Sequence, residues 1–319
     1  MKDVDKKYKL LTDDYILMKS HILYRIIALK DFTTKGFGTV KKGDIGGFIE
    51  SEDNLSHSGL CWVWNDARVY EDARVEGDSM VENNANIHGR ARILDKSRVG
   101  DFAEIYDDAI VRDNAVVSGG SKIYGSARIE LNAIICGGMV FERAVVTGRS
   151  RISDYAIIKD DACVSDNACV SEHATISGHA SVFEMAKVKG GAYVTDHAII
   201  CGKALVSDYA NINMAAVVNG DAWVCGTAII SSIKDYIVFK NSWSSGRWFT
   251  WTKSNDKWRV GCFYGSGQEL IKKAYADDKN KGDYYKTYVE LVEKLKKLES
   301  NIDNDNDNGN KEQVRQQEV

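Results

Sequence analysis

The sequence predicts an all-β solenoid, a parallel β-helix of about nine coils over residues 61–231, followed by a small α+β module. Three observations carry this. A small residue and a Val or Ile two positions later recur every six residues, beginning NDARVY, EDARVE, GDSMVE, NNANIH, GRARIL. The residues after each aliphatic are dominated by Gly, Asp and Asn, as in HGR, YDD, RDN and CGK. The period then stops after Ile230, where aromatic-rich and helix-like segments begin.

The small residue runs from Ala67, Ala73 and Ser79 to Ala133, with partners from Val69 to Ile135, which makes twelve hexads. One residue is deleted near Gly137 and Gly138, and sixteen more hexads run from Gly138/Val140 to Ala228/Ile230. All 28 aliphatic positions are Val or Ile and 23 of the 28 small positions are Ala, a regularity that neither chance nor an ordinary globular core produces. Residues two apart on a strand point the same way, so both face inward and the residue between them faces out. Branched aliphatics suit such strands. Gly, Asp and Asn accept positive φ, so each hexad ends in a corner. Three sides then close one coil, and at roughly 4.8 Å per coil the prism is on the order of 45 Å long.

The hexads resemble those of the left-handed β-helices of the hexapeptide-repeat, trimeric LpxA-like acyltransferase superfamily. The resemblance implies a left-handed coil, although parallel crossovers in general favour the right hand. One departure is that Gly here usually stands one residue later than in that superfamily, as at Gly77, Gly89, Gly125, Gly178 and Gly202. Upstream, LYRIIALKDF (23–32) and KKGDIGGFIESEDNLSHSGLCWVW (41–64) read as short strands joined by Gly turns, an N-terminal cap over residues 1–60. This entrance is similar to that of YdcK-like proteins, whose assignment as transferases rests on fold, and fold does not imply function. The resemblance spans roughly residues 20 to 230.

Downstream, YIVFKNSW, RWFTWTK and KWRVGCFYG read as three strands, and GSGQELIKKAYAD and GDYYKTYVELVEKLKKL as two helices, giving a module over 232–299. The second helix places Tyr285, Tyr288, Val292, Leu295 and Leu298 on one side, suited to the module's own sheet or a partner's helix. Residues 300–319 have almost no apolar content and are expected to be disordered.

The formal charge of −4 conceals a division. Residues 61–230 carry 16 Lys and Arg against 23 Asp and Glu, whereas residues 231–300 carry 14 against 9, an acidic body with a basic end. No apolar run is long enough to cross a bilayer, and the charged start lacks the apolar stretch of a signal peptide, so no membrane partner and a cytoplasmic location are expected. Seven cysteines, without CxxC spacing, read as free thiols and not as a zinc site.

Stacking outward positions by coil singles out one face. The column Val145, Cys163, Ser181, Ile199, Val217 is uncharged, and the neighbouring column Met139, Ile157, Thr175, Tyr193, Asn211, Ile229 is nearly apolar. The N-terminal columns Arg68/Asn86/Glu104/Lys122 and Arg74/Arg92/Ile110/Arg128 suit solvent instead. An apolar stripe on a soluble prism predicts a homotrimer built through the C-terminal coils. The corner leading into that face stacks Asp160-Asp161, Gly178-His179 and Asp196-His197. The acyltransferase resemblance implies a histidine general base between subunits and acetyl-coenzyme A along the prism. In that reading His179 or His197 is the base, oriented by Asp196 or Asp161. The plainer reading is that Asp and His simply suit corners, and shared metal ligation by His179, His197 and Asp196 is a third, with no metal expected. In the module, Trp243, Trp248, Trp251 and Trp258 alternate with Arg247, Lys257 and Arg259. Such interleaving serves single-stranded nucleic acid or a nucleotide, but a small β module also needs large aromatics for its core. The functional expectation is therefore a scaffold or binding protein, with a trimeric acyltransferase and a nucleic-acid or nucleotide binder as alternatives.

Overall fold

The computed structural model describes the backbone of residues 6–34 and 38–317, with side chains as far as residue 301. It divides into two compact units, residues 1–235 and 236–319. The first is a parallel β-solenoid of about ten turns.

Each hexad forms a two-residue strand whose second member is the aliphatic, as in Arg74–Val75, Cys163–Val164 and Ile199–Ile200. Strands one coil apart pair in parallel, so Asn86 lies on Glu104 and Cys163 on Ser181, 18 residues apart in each case. One face is a separate nine-stranded sheet running from Arg74–Val75 to Val217–Val218. Every inward Val and Ile of the repeat is essentially sealed from solvent, as are the paired alanines. Where Ser replaces Ala, the buried hydroxyl donates to a carbonyl of its own corner, as Ser79 Oγ does to Glu76 O at 2.7 Å and Ser97 Oγ to Leu94 O at 2.6 Å. A buried polar group is thus satisfied without breaking the ladder.

The corners explain the displaced glycines. From Val69 to Val224, the second residue after each aliphatic has positive φ, whether Gly77 (72°), Gly178 (65°) and Gly202 (69°) or Asp101 (56°), Asp160 (59°) and Asp196 (58°). Where that residue is acidic, its carboxylate accepts the N–H of its counterpart one coil on: Asp107 from Gly125, Asp160 from Gly178 and Asp166 from Glu184, at 2.8–3.1 Å. Such residues stabilise a left-handed corner twice, by tolerating its backbone and by bonding its neighbour.

The solenoid starts earlier than residue 61. The hairpin of Tyr8–Met18 and His21–Ala28 is joined antiparallel by Ile45–Ile49, which then lies parallel on Arg68–Val69. Leu55 bridges Val75, and Trp62–Val63 pairs with Met80–Val81. Residues 48–63 therefore add a first turn, a correction to the boundary drawn from the sequence. Gly47-Phe48-Ile49 and Cys61-Trp62-Val63 obey the small-x-aliphatic rule, but two extra residues between Leu55 and Val63 put the period out of step.

In the second unit an antiparallel meander of Tyr236–Lys240, Trp248–Thr252, Lys257–Val260 and Phe263–Gly265 carries two helices, α1 (Gly267–Asp277) and α2 (Lys279–Gln317). The expected third strand is two, split by a turn at Gly261, whose φ is 59°. Ser266 and Glu269 form a capping box at the start of α1. The core joins Phe249, Trp251, Trp258 and Val260 to Leu270, Tyr285, Val289 and Val292. Of the apolar side expected on α2, Tyr285 and Val292 are buried, Tyr288 packs at the margin, and Leu295 and Leu298 are exposed. α2 also runs on as helix to Gln317, where a disordered tail from residue 300 was expected. Once nucleated, a helix gains a backbone bond with each added residue, and no proline interrupts it here.

Candidate functional site

The corner histidines belong to a ladder of third-position residues, each 18 or so residues from the next: Asp72, Arg90, Asp108, Ser126, Arg143, Asp161, His179 and His197. Arg90 grips Asp108 through two hydrogen bonds, and Arg143 grips Asp161 in the same way, Nε to Oδ1 at 2.6 Å and NH2 to Oδ2 at 2.5 Å. Asp161 also lies 3.9 Å from His179 Nδ1. The His179 and His197 rings stack in parallel, 4.9 Å apart with a 5° tilt.

The structure thus brings His179, His197 and Asp161 together and assigns Asp196 elsewhere. The Asp196 carboxylate accepts the Met214 N–H at 2.8 Å, a corner bond that turns it away from the task of orienting His197. The Arg143 guanidinium holds the Asp161 carboxyl below the usual carboxylate range, and the Gly178 N–H does the same for Asp160. Arg143 was absent from the candidate set. Its signal was available in the sequence, since it stands 18 residues before Asp161 at the same corner position. Arg143, Asp161 and His179 follow one another in a row at an open corner, with the His179 side chain 59% exposed. Among the described residues, no group of three or more His, Cys, Asp or Glu is gathered as a metal site would require.

The uncharged column stacks as expected: Val145 on Cys163, Cys163 on Ser181, Ser181 on Ile199 and Ile199 on Val217. Each side chain is half-buried by its neighbours. Partial burial pushes the Cys163 thiol up, favouring its neutral form and deepening the apolar character of the strip. The adjoining column runs from Met139 through Ile157, Thr175, Tyr193 and Asn211 to Ile229, with Tyr193 and Ile229 about half exposed.

The aromatic and basic residues of the module separate into two sets. Trp251 and Trp258 are sealed in the core, so neither offers a ring face to a base, which corrects their place among the binding candidates. Trp243 and Trp248 are exposed. Lys240 lies 4.9 Å over the Trp248 ring, and Arg247 lies beside Gly261. Lys257 and Arg259 are half-buried on the strand between. Alternation along a strand sends neighbouring side chains to opposite faces, so the sequence-level cluster of seven cannot form one surface.

No protein-family model matches this chain, and no curated protein matches it. Among the described residues no helix is long and apolar enough to cross a membrane. The fold defines a β-solenoid with a separate small α+β unit, and the function must be argued from its surfaces.

Proposed function

We propose that this chain is a scaffold or binding protein that assembles as a homotrimer, burying the outward column Val145, Cys163, Ser181, Ile199 and Val217 of its C-terminal coils. The observation that carries this reading is that one continuous sheet changes character along its length. Its first coils carry Arg74, Arg92 and Arg128 outward, with Arg92 paired to Glu76 and Arg128 to Glu130. Its later coils carry no outward charge at all. The fold does not require this, because outward positions contribute nothing to the Val/Ile core. A half-buried uncharged strip in an otherwise acidic surface fits burial against copies of itself. Cys61, Cys136, Cys163, Cys169, Cys201 and Cys262 are free thiols, which fits a reducing compartment.

The test is the mass in solution of the wild-type chain and of Ile199→Arg, with circular dichroism on both. The expected outcome is a trimer that falls to monomers in the variant while the β-signal is kept. A wild-type monomer, or a variant trimer, would sink the proposal.

The approach of the Asp161 carboxylate to within 3.9 Å of His179 Nδ1 supports the acyltransferase alternative, since a carboxylate beside a histidine is the usual means of orienting a general base. Titration of acetyl-coenzyme A discriminates. Saturable binding near one per subunit, lost in His179→Ala, would displace the scaffold reading. Trp248 beside Lys240 supports the nucleotide-binding alternative, which requires oligonucleotide binding that weakens steeply with salt and is lost in Trp248→Ala.

A further inference from the structure

A second feature of the solenoid lies at a different corner from the histidines. Its third-position residues, coil by coil, are Asp66, Asn84, Phe102, Gly120, a deletion, Tyr155, His173, Gly191, Tyr209 and Thr227. The single missing residue of the repeat therefore falls between Phe102 and the aromatic residues Tyr155, His173 and Tyr209 of the same column. Around it the chain runs continuously as strand through Ile134–Val140 and Arg151–Ile158. It rounds the corner on Gly137 and Gly138, whose φ values are 92° and 80°. Neither glycine is replaceable, because a Cβ would come within 2.5 Å of Asp154 O and Ala156 O respectively.

The column treats its two ordinary gaps differently. At Gly191 the gap is closed by the ring of Tyr209, whose Cδ1 and Cε1 would lie 3.0 Å from an added Cβ. At Gly120 an added Cβ would meet nothing within 4 Å. Gly120 and the deletion together leave two successive coils without a side chain at this position. The result is a groove of about 540 Å³ lined by Gly120, Lys122, Cys136, Gly138, Met139 and Tyr155. Tyr155 stacks on His173 at 5.2 Å with a 6° tilt, and the ring, which is 71% exposed, borders the groove. The groove is thus a slot whose height is set by absent rings and whose end wall is an aromatic face.

The charges around it favour a neutral occupant. The Lys122 ammonium is held by Glu104 at 2.9 Å. Asp154, which lines the groove, accepts the Glu172 N–H at 3.1 Å, and Asp101 accepts the N–H of the lining residue Gly119 at 3.0 Å. A phosphate placed there would meet the Asp154 carboxylate and a cation already paired with Glu104.

We propose that this notch binds a flat, uncharged heteroaromatic ring of the nucleobase or nucleoside class, stacked on the open face of Tyr155. Such a ring takes the place that Phe102, Tyr155, His173 and Tyr209 fill in other coils, and ring-on-ring stacking supplies the affinity. The site does not depend on trimer formation, since its walls all come from one chain.

The probe is adenosine, titrated into the full-length protein and followed by saturation-transfer NMR and calorimetry. Adenosine is expected to bind saturably, and adenosine monophosphate more weakly because of the rim charge. Tyr155→Ala is expected to weaken binding about tenfold, the loss of one stacking partner. Gly120→Tyr is expected to abolish binding with the melting temperature unchanged, because Gly120 has ordinary φ and open space for a ring. Adenosine should also slow alkylation of Cys136, read site by site in a mass spectrometer. Absence of adenosine binding, equal binding by Gly120→Tyr, or tighter binding of methyl glucoside than of adenosine would each overturn the proposal.

Discussion

One nine-stranded face of the solenoid contains two surfaces. Three of its first four outward residues, Arg74, Arg92 and Arg128, are charged, with Ile110 between them, and Arg92 and Arg128 pair with Glu76 and Glu130. The next five, Val145, Cys163, Ser181, Ile199 and Val217, carry no charge. Beneath both halves the inward column is the same, Val or Ile throughout and closed to solvent. The comparison separates what the fold needs from what the surface is for. A period of two along each strand lets the inner residue build the core while the outer one varies freely.

The largest expected effect sharpens this separation at one pair of neighbours. Ile200 is fully buried and Ile199 faces out. Ile200→Ala should cost about 2–5 kcal/mol in denaturant unfolding, through lost burial and the cavity it leaves. Ile199→Ala should change the unfolding of the monomer by no more than about 0.5 kcal/mol. Equal costs would mean that the two columns are not functionally distinct.

Next in size is the corner backbone. At Gly178, φ is 65° and an added Cβ would lie 2.8 Å from Asp196 N, so Gly178→Ala should cost about 1–3 kcal/mol by the same measurement. If it is silent, the corners are softer than the coil stacking implies.

The acid limb of stability comes from the charged corners. Asp160, Asp161 and Glu104 are held below their ordinary values of 3.8 and 4.5 by the Gly178 N–H, Arg143 and Lys122 respectively. Groups depressed on folding add stability that is complete above the unfolded value and disappears as pH falls through the folded one. The denaturation midpoint should therefore be level near neutrality and decline below about pH 4.5. A midpoint that stays level to pH 3 would show that these contacts contribute nothing.

The smallest effect is expected where the face is charged. Arg92 is exposed and lies 3.3 Å from the partly exposed Glu76, so Arg92→Ala should alter stability by about 0–0.5 kcal/mol and leave the mass in solution unchanged. A change of mass would move the proposed interface towards the N-terminal coils.

Much of the fold was legible because its signal is additive. Twenty-eight repetitions of one small-x-aliphatic pattern outweigh any single ambiguous residue, and the 18-residue coil follows from three hexads. The columns built on that spacing, including Val145 to Val217 and His179 over His197, stack as the arithmetic implies. The reading failed where the period did. Two extra residues between Leu55 and Val63 hid the first turn. It was weakest where one residue has competing uses: Asp196 reads equally well as a catalytic partner and as a corner residue, and only its bond to the Met214 N–H separates them.

What the sequence determined by itself is the solenoid, its coil length and the identity of its inward and outward columns, since these depend on local periodicity. The tertiary structure decided which side chains meet across coils and what surrounds them. Arg143 takes Asp161, Trp251 and Trp258 go to the core, and Gly120 stands open where Gly191 is covered. Those outcomes depend on rotamers, burial and neighbours 18 or more residues away, which a repeat pattern constrains in position but not in contact.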